Sequence, residues 1–167
     1  MNDLKPRNFT IGNSQPLTLM GGMNALESRD LVLQVAEKFK LISDKLEINY
    51  IFKGSFDKAN RSSVSSFRGP GMDEGLKLLQ EVSTEFNVPV VTDIHEPDQA
   101  KPVSEVCEVV QIPAFLARQT DLVVAAAKTD AILQFKKPQF LSAPEMKNII
   151  EKCESAGNSK ITLCERG

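Results

Sequence analysis

Residues 53–63 read Lys-Gly-Ser-Phe-Asp-Lys-Ala-Asn-Arg-Ser-Ser and place Lys53, Lys58 and Arg61 among Ser55, Asn60 and Ser62. Three cations interleaved with hydroxyl and amide groups suit phosphate and carboxylate ligands, and an arginine can fork onto two oxygens. A solvated loop with scattered charges is the plain alternative. Lys136-Lys137-Pro138 and Glu165-Arg166-Gly167 repeat the arrangement, with charged residues directly after an apolar run. One lysine so placed is commonly a snorkelling surface residue, but recurrence at Lys53, Lys136 and Arg166 favours an anion site. Asp93-Ile94-His95-Glu96 adds acidic groups that could orient hydroxyls or exchange protons. His95 is the one histidine, so a site built from several histidines is excluded within this sequence. A mixed Cys/His/Asp/Glu site stays arithmetically open, although no CxxC or HExxH spacing occurs. On its own His95 reads more readily as a hydrogen-bonded structural residue than as a ligand. There is no Walker loop and no G-x-G-x-x-G, and Gly21-Gly22 alone does not support a nucleotide site.

These groups need a scaffold that brings strand ends together. Short apolar runs alternate with amphipathic segments of helical period. Strands are expected at Leu17–Met20, Tyr50–Phe52, Pro89–Thr92, Val109–Ile112, Ala131–Phe135 and Lys160–Cys164. Helices are expected over Glu27–Leu46, Met72–Phe86, Gln99–Val106, a segment capped by Thr120-Asp121, and Ser142–Cys153. Phe9–Ile11 and Leu17–Leu19 around Gly12-Asn13-Ser14 suggest an N-terminal β-hairpin. The strands are apolar on both faces, as buried parallel strands are. Strand ends from Asn24 to Arg166 recur about every 28 residues, close to the period of roughly 30 in a (β/α)₈ barrel. An open doubly wound sheet shares the alternation, but a charged or polar residue after nearly every strand matches the barrel, whose sites form at that face. The expected architecture is α/β: a TIM barrel of which residues 1–167 supply about the first six β/α units as one domain, with the C-terminal units missing.

Composition sets the remaining bounds. With 167 residues, 41% of them hydrophobic and 25% charged, the chain can build a core. Lys+Arg 20 against Asp+Glu 22 gives a net charge of −2, which argues against a nucleic-acid partner. No apolar run reaches the roughly 18 residues of a membrane helix, and the first residues lack the apolar core of a signal peptide. Cys107, Cys153 and Cys164 are odd in number and lie in apolar patterns, which suits reduced core residues in the cytoplasm.

The motifs also resemble those of a known family, the 3-deoxy-D-manno-octulosonate 8-phosphate synthases. The similarity rests on Gly21 to Asp30, Lys53 to Ser63, Thr92 to Pro97, Gln111 to Asp121 and Lys136 to Phe140, in that order, and spans about residues 17–167. It implies condensation of phosphoenolpyruvate with D-arabinose 5-phosphate, giving the octulosonate phosphate and inorganic phosphate for the lipopolysaccharide inner core. A cytoplasmic homotetramer of (β/α)₈ barrels is implied, with small-molecule substrates and no cofactor, nucleic acid or membrane. Carried over by position, Lys58, Lys136 and Arg166 hold the phosphoenolpyruvate carboxylate and phosphate. Ala114 and Phe115 pack nearby and Gln111 hydrogen-bonds. Lys53 and Asp93 position reacting groups and sugar hydroxyls. Ser55 joins the substrate contacts, Asn60, Arg61 and Ser62 grip the pentose phosphate, and Arg118 reaches a neighbouring subunit's site. His95 is a further candidate. Without the resemblance, Phe56 and Phe115 would read as core aromatics and Ser62-Ser63 as a helix start.

Asn24 carries the finest implication. Metal-dependent members of the resembled family place Cys at this position, and metal-independent members place Asn. An amide is a poor substitute for a thiolate on a transition metal, so a metal-free enzyme is expected. A related synthase that joins phosphoenolpyruvate to erythrose 4-phosphate is the nearest alternative, with a Lys-Pro-Arg-Thr-like stretch where this chain has Lys58 to Ser63. A non-catalytic barrel is the other; Lys58, Lys136 and Arg166 argue against it.

Overall fold

The computed structural model describes residues 3–166; Met1, Asn2 and Gly167, which the sequence reading touched at its ends, lie outside the described residues. The chain divides into two compact units, Met1–Thr92 and Asp93–Gly167.

The first unit runs β1 (Thr18–Gly22), α1 (Arg29–Lys45), β2 (Asn49–Lys53), α2 (Met72–Glu85) and into β3 (Val90–Asp93). β1 pairs with β2, and β2 with β3, all parallel; Gly22 registers with Lys53 and Lys53 with Val91. α1 starts because Ser28 is extended and its hydroxyl accepts the Leu31 N–H at 3.4 Å, with Asp30 in the first turn and Lys45 in the last. Its buried face carries Val32, Ala36 and Ser43. Glu47 and Asn87, at φ 54° and 49°, turn the chain out of α1 and α2 toward the next strands. α2 buries Gly75, Leu79, Val82 and Ser83. Gly75 is where the helix meets the loop after β2: a Cβ there would lie 2.3 Å from the Phe56 Cβ. Phe52 and Phe56 are fully buried, a contribution of about 1.5–3 kcal/mol for each such side chain.

The N-terminal segment departs from the expected hairpin. Ile11 pairs back to Leu4, through hydrogen bonds of 2.9 and 2.7 Å, and not forward to Leu17–Leu19. Burial of Leu4 favours this pairing, as do bonds from the Arg7 guanidinium to the Ser83 carbonyl and hydroxyl at 3.1 and 2.6 Å. Thr18–Gly22 is meanwhile taken up along its whole length by β2.

The second unit contains a 3₁₀ turn (Pro97–Gln99), α3 (Ala100–Ser104), β4 (Val109–Ile112), a 3₁₀ turn (Ala114–Leu116), α4 (Thr120–Ala127), β5 (Ile132–Lys136), α5 (Met146–Ser155) and β6 (Ile161–Cys164). β4 pairs with β5, and β5 with β6, again parallel. Asn158 fixes the last crossover: its amide donates to the Thr129 and Ala131 carbonyls at 3.1 and 3.0 Å and its oxygen accepts the Lys160 N–H at 2.7 Å.

Within each unit, sheet neighbours are sequence neighbours and every crossover carries helix. This is the build of a (β/α) barrel, and the chain is part of one. Local corrections concern helix starts. The expected helix over Gln99–Val106 is shorter, because Pro97 opens a 3₁₀ turn, closed by a Glu96–Gln99 capping box, before α3. Thr120 does not cap α4; Gln119 is the N-cap residue, and the Thr120 hydroxyl accepts from Lys152 at 2.8 Å. Ser142 precedes α5 by a turn in which Glu145 accepts from its N–H and hydroxyl, at 2.7 and 2.8 Å. Cys107 and Cys153 are buried as expected, whereas Cys164 is partly exposed at the end of β6; all three are free thiols.

Candidate active site

In the first unit the candidate residues sit on two segments zipped together. The Met23 N–H donates to the Lys53 carbonyl at 2.8 Å and the Leu26 N–H to the Ser55 carbonyl at 2.9 Å. Asn24, exposed, is thereby held beside the end of β2. Lys53 is the last residue of β2, and its ammonium donates to the Ser55 hydroxyl at 2.7 Å; Ser55 is fully buried. The loop beyond is closed at its base by the Lys58 N–H on the Arg68 carbonyl at 2.7 Å and by Arg68 Nε on Asp57 at 2.7 Å. Within it the Arg61 N–H reaches the Lys58 carbonyl at 3.2 Å and Arg61 Nε the Phe67 carbonyl at 3.1 Å. Asn60, Arg61 and Ser62 are exposed and Lys58 is half-buried. The loop thus presents three consecutive exposed polar residues on a fixed base, a surface chemically suited to a phosphorylated ligand.

In the second unit buried Asp93 and half-buried His95 form a pair, His95 Nε2 lying 3.4 Å from Asp93 Oδ2. The His95 N–H is held by Gln99 Oε1 at 2.8 Å, and the Ile94 N–H donates to the Gln111 carbonyl at 3.1 Å. Gln111 is buried on β4 and registers with Gln134 on β5; Lys136, half-buried, ends β5 and registers with Cys164. Ala114 is buried in the 3₁₀ turn after β4. Phe115 is 64% exposed, which removes the core-aromatic alternative, whereas Phe56 does belong to the core. Arg118 is exposed, its carbonyl held by Lys152 at 3.2 Å, and Arg166 is exposed just past β6. Apart from Gln111, one residue short of the end of β4, the candidates on this unit lie at or beyond the C-terminal end of a strand, where barrel enzymes place their chemistry.

Comparison with known proteins decides the lineage. The sequence matches the DAHP synthetase I family over residues 3–167. The chain belongs to this family. It is also 61% identical over 160 residues to a protein of Pseudomonas putida (strain GB-1) named 2-dehydro-3-deoxyphosphooctonate aldolase, covering 96% of this chain and 57% of that protein. A protein of the same name from Colwellia psychrerythraea is 62% identical over 161 residues, 96% of this chain and 58% of its own length. One from Ectopseudomonas mendocina is 58% identical over 164 residues, 98% and 58% respectively. The chain thus spans a little over half the length of the curated relatives it matches.

Against that membership, the structure adds residues that the sequence reading passed over. Lys137 is buried, its ammonium donating to the Pro138 and Leu141 carbonyls at 3.2 Å each, with Glu165 at 3.8 Å. Nothing in the Lys136-Lys137 pair says from sequence which member turns inward. Gln99 was findable, since Glu96-Pro97-Asp98-Gln99 has the spacing of a capping box. A separate cleft of about 240 Å³ in the first unit is lined by Asn49, Tyr50, Val88 and Pro89, at the starts of β2 and β3, and so lies away from the strand ends that carry the candidates. Among the described residues no three His, Cys, Asp or Glu side chains gather as metal donors. No helix among them is long and apolar enough to cross a membrane.

Proposed function

We propose that the complete protein condenses phosphoenolpyruvate with D-arabinose 5-phosphate, forming 3-deoxy-D-manno-octulosonate 8-phosphate and inorganic phosphate for the lipopolysaccharide inner core. The observation that carries this reading is the identity of about 60%, over nearly the whole chain, with proteins named 2-dehydro-3-deoxyphosphooctonate aldolase. The complete barrel, assembled as one domain and in a homotetramer, would work in the cytoplasm.

Two multiply charged anions must approach each other, and their repulsion is offset by fixed cations that also set geometry. In this reading Lys58, Lys136 and Arg166 hold the phosphoenolpyruvate carboxylate and phosphate, with Gln111 hydrogen-bonding and Ala114 and Phe115 alongside. Asn60, Arg61 and Ser62 hold the pentose phosphate, and Arg118 serves a neighbouring subunit. Lys53, with Ser55 as its partner at 2.7 Å, and Asp93, with His95 beside it, position the reacting groups and sugar hydroxyls. The enol carbon of phosphoenolpyruvate forms a bond to the sugar aldehyde carbon, whose oxygen takes a proton. Water adds at the carbon that carries the phosphate, and the resulting tetrahedral adduct collapses with loss of phosphate. Asn24 holds a hydrogen bond at the position where metal-dependent relatives use a thiolate, so the reaction runs without a metal.

Phosphate release from phosphoenolpyruvate by the full-length protein, in excess chelator, tests this with arabinose 5-phosphate and erythrose 4-phosphate offered separately. Release with the pentose alone is expected. Release with the tetrose alone would move the protein to the reaction after which its family is named. Activity with the pentose that vanishes in chelator would refute the role given to Asn24, and no release with either sugar would favour a non-catalytic barrel.

A further inference from the structure

The dipeptides that end β5 and open the segment after β6, Lys136-Lys137 and Glu165-Arg166, do two jobs each. Lys137 donates its backbone N–H to the Cys164 carbonyl at 2.9 Å, which continues the β5–β6 ladder one step beyond the strands. Its ammonium turns into the loop that follows, bonding the Pro138 and Leu141 carbonyls at 3.2 Å, with Glu165 Oε1 at 3.8 Å. The Lys137 side chain is 11% exposed and that of Glu165 72%. A lysine that far from water is tolerated only with its charge and donors compensated; here two carbonyls accept from it and the Glu165 carboxylate supplies opposite charge at 3.8 Å. Successive side chains of a strand point to opposite faces. Lys136 therefore leaves the ladder on the face opposite Lys137, and Arg166 alternates with Glu165 in the same way.

We infer that Lys137 and Glu165 form a cross-strand clamp that positions Lys136 and Arg166 for the phosphoenolpyruvate anion. The inference rests on the reading of those two cations as ligands of that substrate. The clamp pins the ends of β5 and β6 and the residue 138–141 loop to one another, so Lys136 starts from fixed backbone. Lys137 and Glu165 are positioning residues and touch no substrate in this account.

The test is steady-state kinetics on the full-length protein with Lys137→Met, Lys137→Arg and Glu165→Gln, each substrate varied in turn. A purely structural role would lower the amount of active enzyme, and hence kcat, without separating the two KM values. The clamp predicts that Lys137→Met raises KM for phosphoenolpyruvate about tenfold while KM for the pentose phosphate stays within about twofold. Lys137→Arg, which keeps donors for both carbonyls, should return the former to within about threefold of wild type. Equal rises in both KM values, an unchanged KM for phosphoenolpyruvate, or no rescue by arginine would overturn the clamp. Should Lys137→Met fail to fold, Glu165→Gln decides: a rise of about two- to threefold confined to phosphoenolpyruvate is expected, and no change refutes it. Wild-type protein that releases no phosphate with either sugar would instead remove the functional reading itself, and the clamp's substrate with it.

Discussion

Replacing Gly75 by alanine sets two known effects against each other at a position that links α2 to the candidate site. In a helix interior the change from glycine to alanine gains about 1 kcal/mol through lower backbone entropy in the unfolded chain. Here the new methyl would lie 2.3 Å from the Phe56 Cβ, 3.2 Å from its Cα and 3.5 Å from Leu26 Cδ1. The obstructing atoms are a Cβ and a Cα, which no rotamer change can move. The Phe56 carbonyl is tied to the Gly71 N–H at 3.1 Å, so the backbone is held as well. With immovable atoms in the way, relieving the overlap costs about 2–3 kcal/mol, the upper part of the overpacking range, and the balance is a net loss of about 1–2 kcal/mol. The displaced Phe56 lies two residues before Lys58, so under the proposed reading KM for phosphoenolpyruvate should rise too. Gly157→Ala is the control: its φ of 98° makes alanine strained, but nothing lies within 4 Å of the added methyl, and its segment is remote in sequence from residues 53–63. Urea unfolding midpoints and KM for the two variants form the assay. A higher midpoint for Gly75→Ala than for wild type would mean that helix propensity wins and that the contact between α2 and Phe56 is loose.

Further expectations concern the second unit and the strand-end lysine. Asn158→Ala removes three hydrogen bonds and leaves carbonyls under the β5–β6 crossover unsatisfied, so denaturation should report a loss of about 3 kcal/mol. Burial pushes the Cys153 thiol up to about 11 from an ordinary 9, with Glu154 adding to the shift. Its contribution is fully present below pH 9 and declines toward pH 11, because the unfolded thiol ionises while the folded one keeps its proton; Cys153→Ala should flatten that part of a thermal-midpoint profile. Lys53→Met should lower kcat at least about a hundredfold in the phosphate-release assay, since it removes the ammonium that bonds Ser55; a loss under threefold would take Lys53 out of the chemistry.

The strands were legible because a buried parallel strand is a short apolar run bounded by polar residues, and β2, β4 and β5 have that form within one or two residues of expectation. Helix starts were harder. Thr120 and Ser142 have the side chains of N-caps, yet tertiary partners took them: Lys152 claims the Thr120 hydroxyl and Glu145 bonds Ser142 ahead of α5. The N-terminal pairing was missed for a related reason. Ile11 and Leu17 each have strand character, and only the anchoring of Leu4 and Arg7 selects the first for a bridge and frees the second segment for β2. Among site residues, the Lys53–Ser63 stretch could be found from composition alone, whereas Lys137 could not, because its identity as a buried donor depends on two carbonyls that the 138–141 loop supplies.

One rule orders the charged residues at these strand ends. Where two functional side chains are two residues apart they meet, because strand alternation puts them on one side: Lys53 reaches Ser55 at 2.7 Å, and His95 reaches Asp93 at 3.4 Å. Where two charged residues are adjacent they diverge, and Lys137 spends its charge on loop carbonyls and Glu165 and does not double the charge of Lys136. The first arrangement sets an imidazole or an ammonium against a partner that orients it. The second turns one lysine inward and leaves its neighbour half-buried at the strand end. A sequence with the same composition but Lys137 and Glu165 exchanged would carry the same net charge and the same apolar pattern, yet would bury a carboxylate against two carbonyl oxygens, which repel it. The order within each pair, more than the number of cations, decides which charges the fold itself consumes, and in the proposed reading this is what lets Lys136 and Arg166 serve an anion.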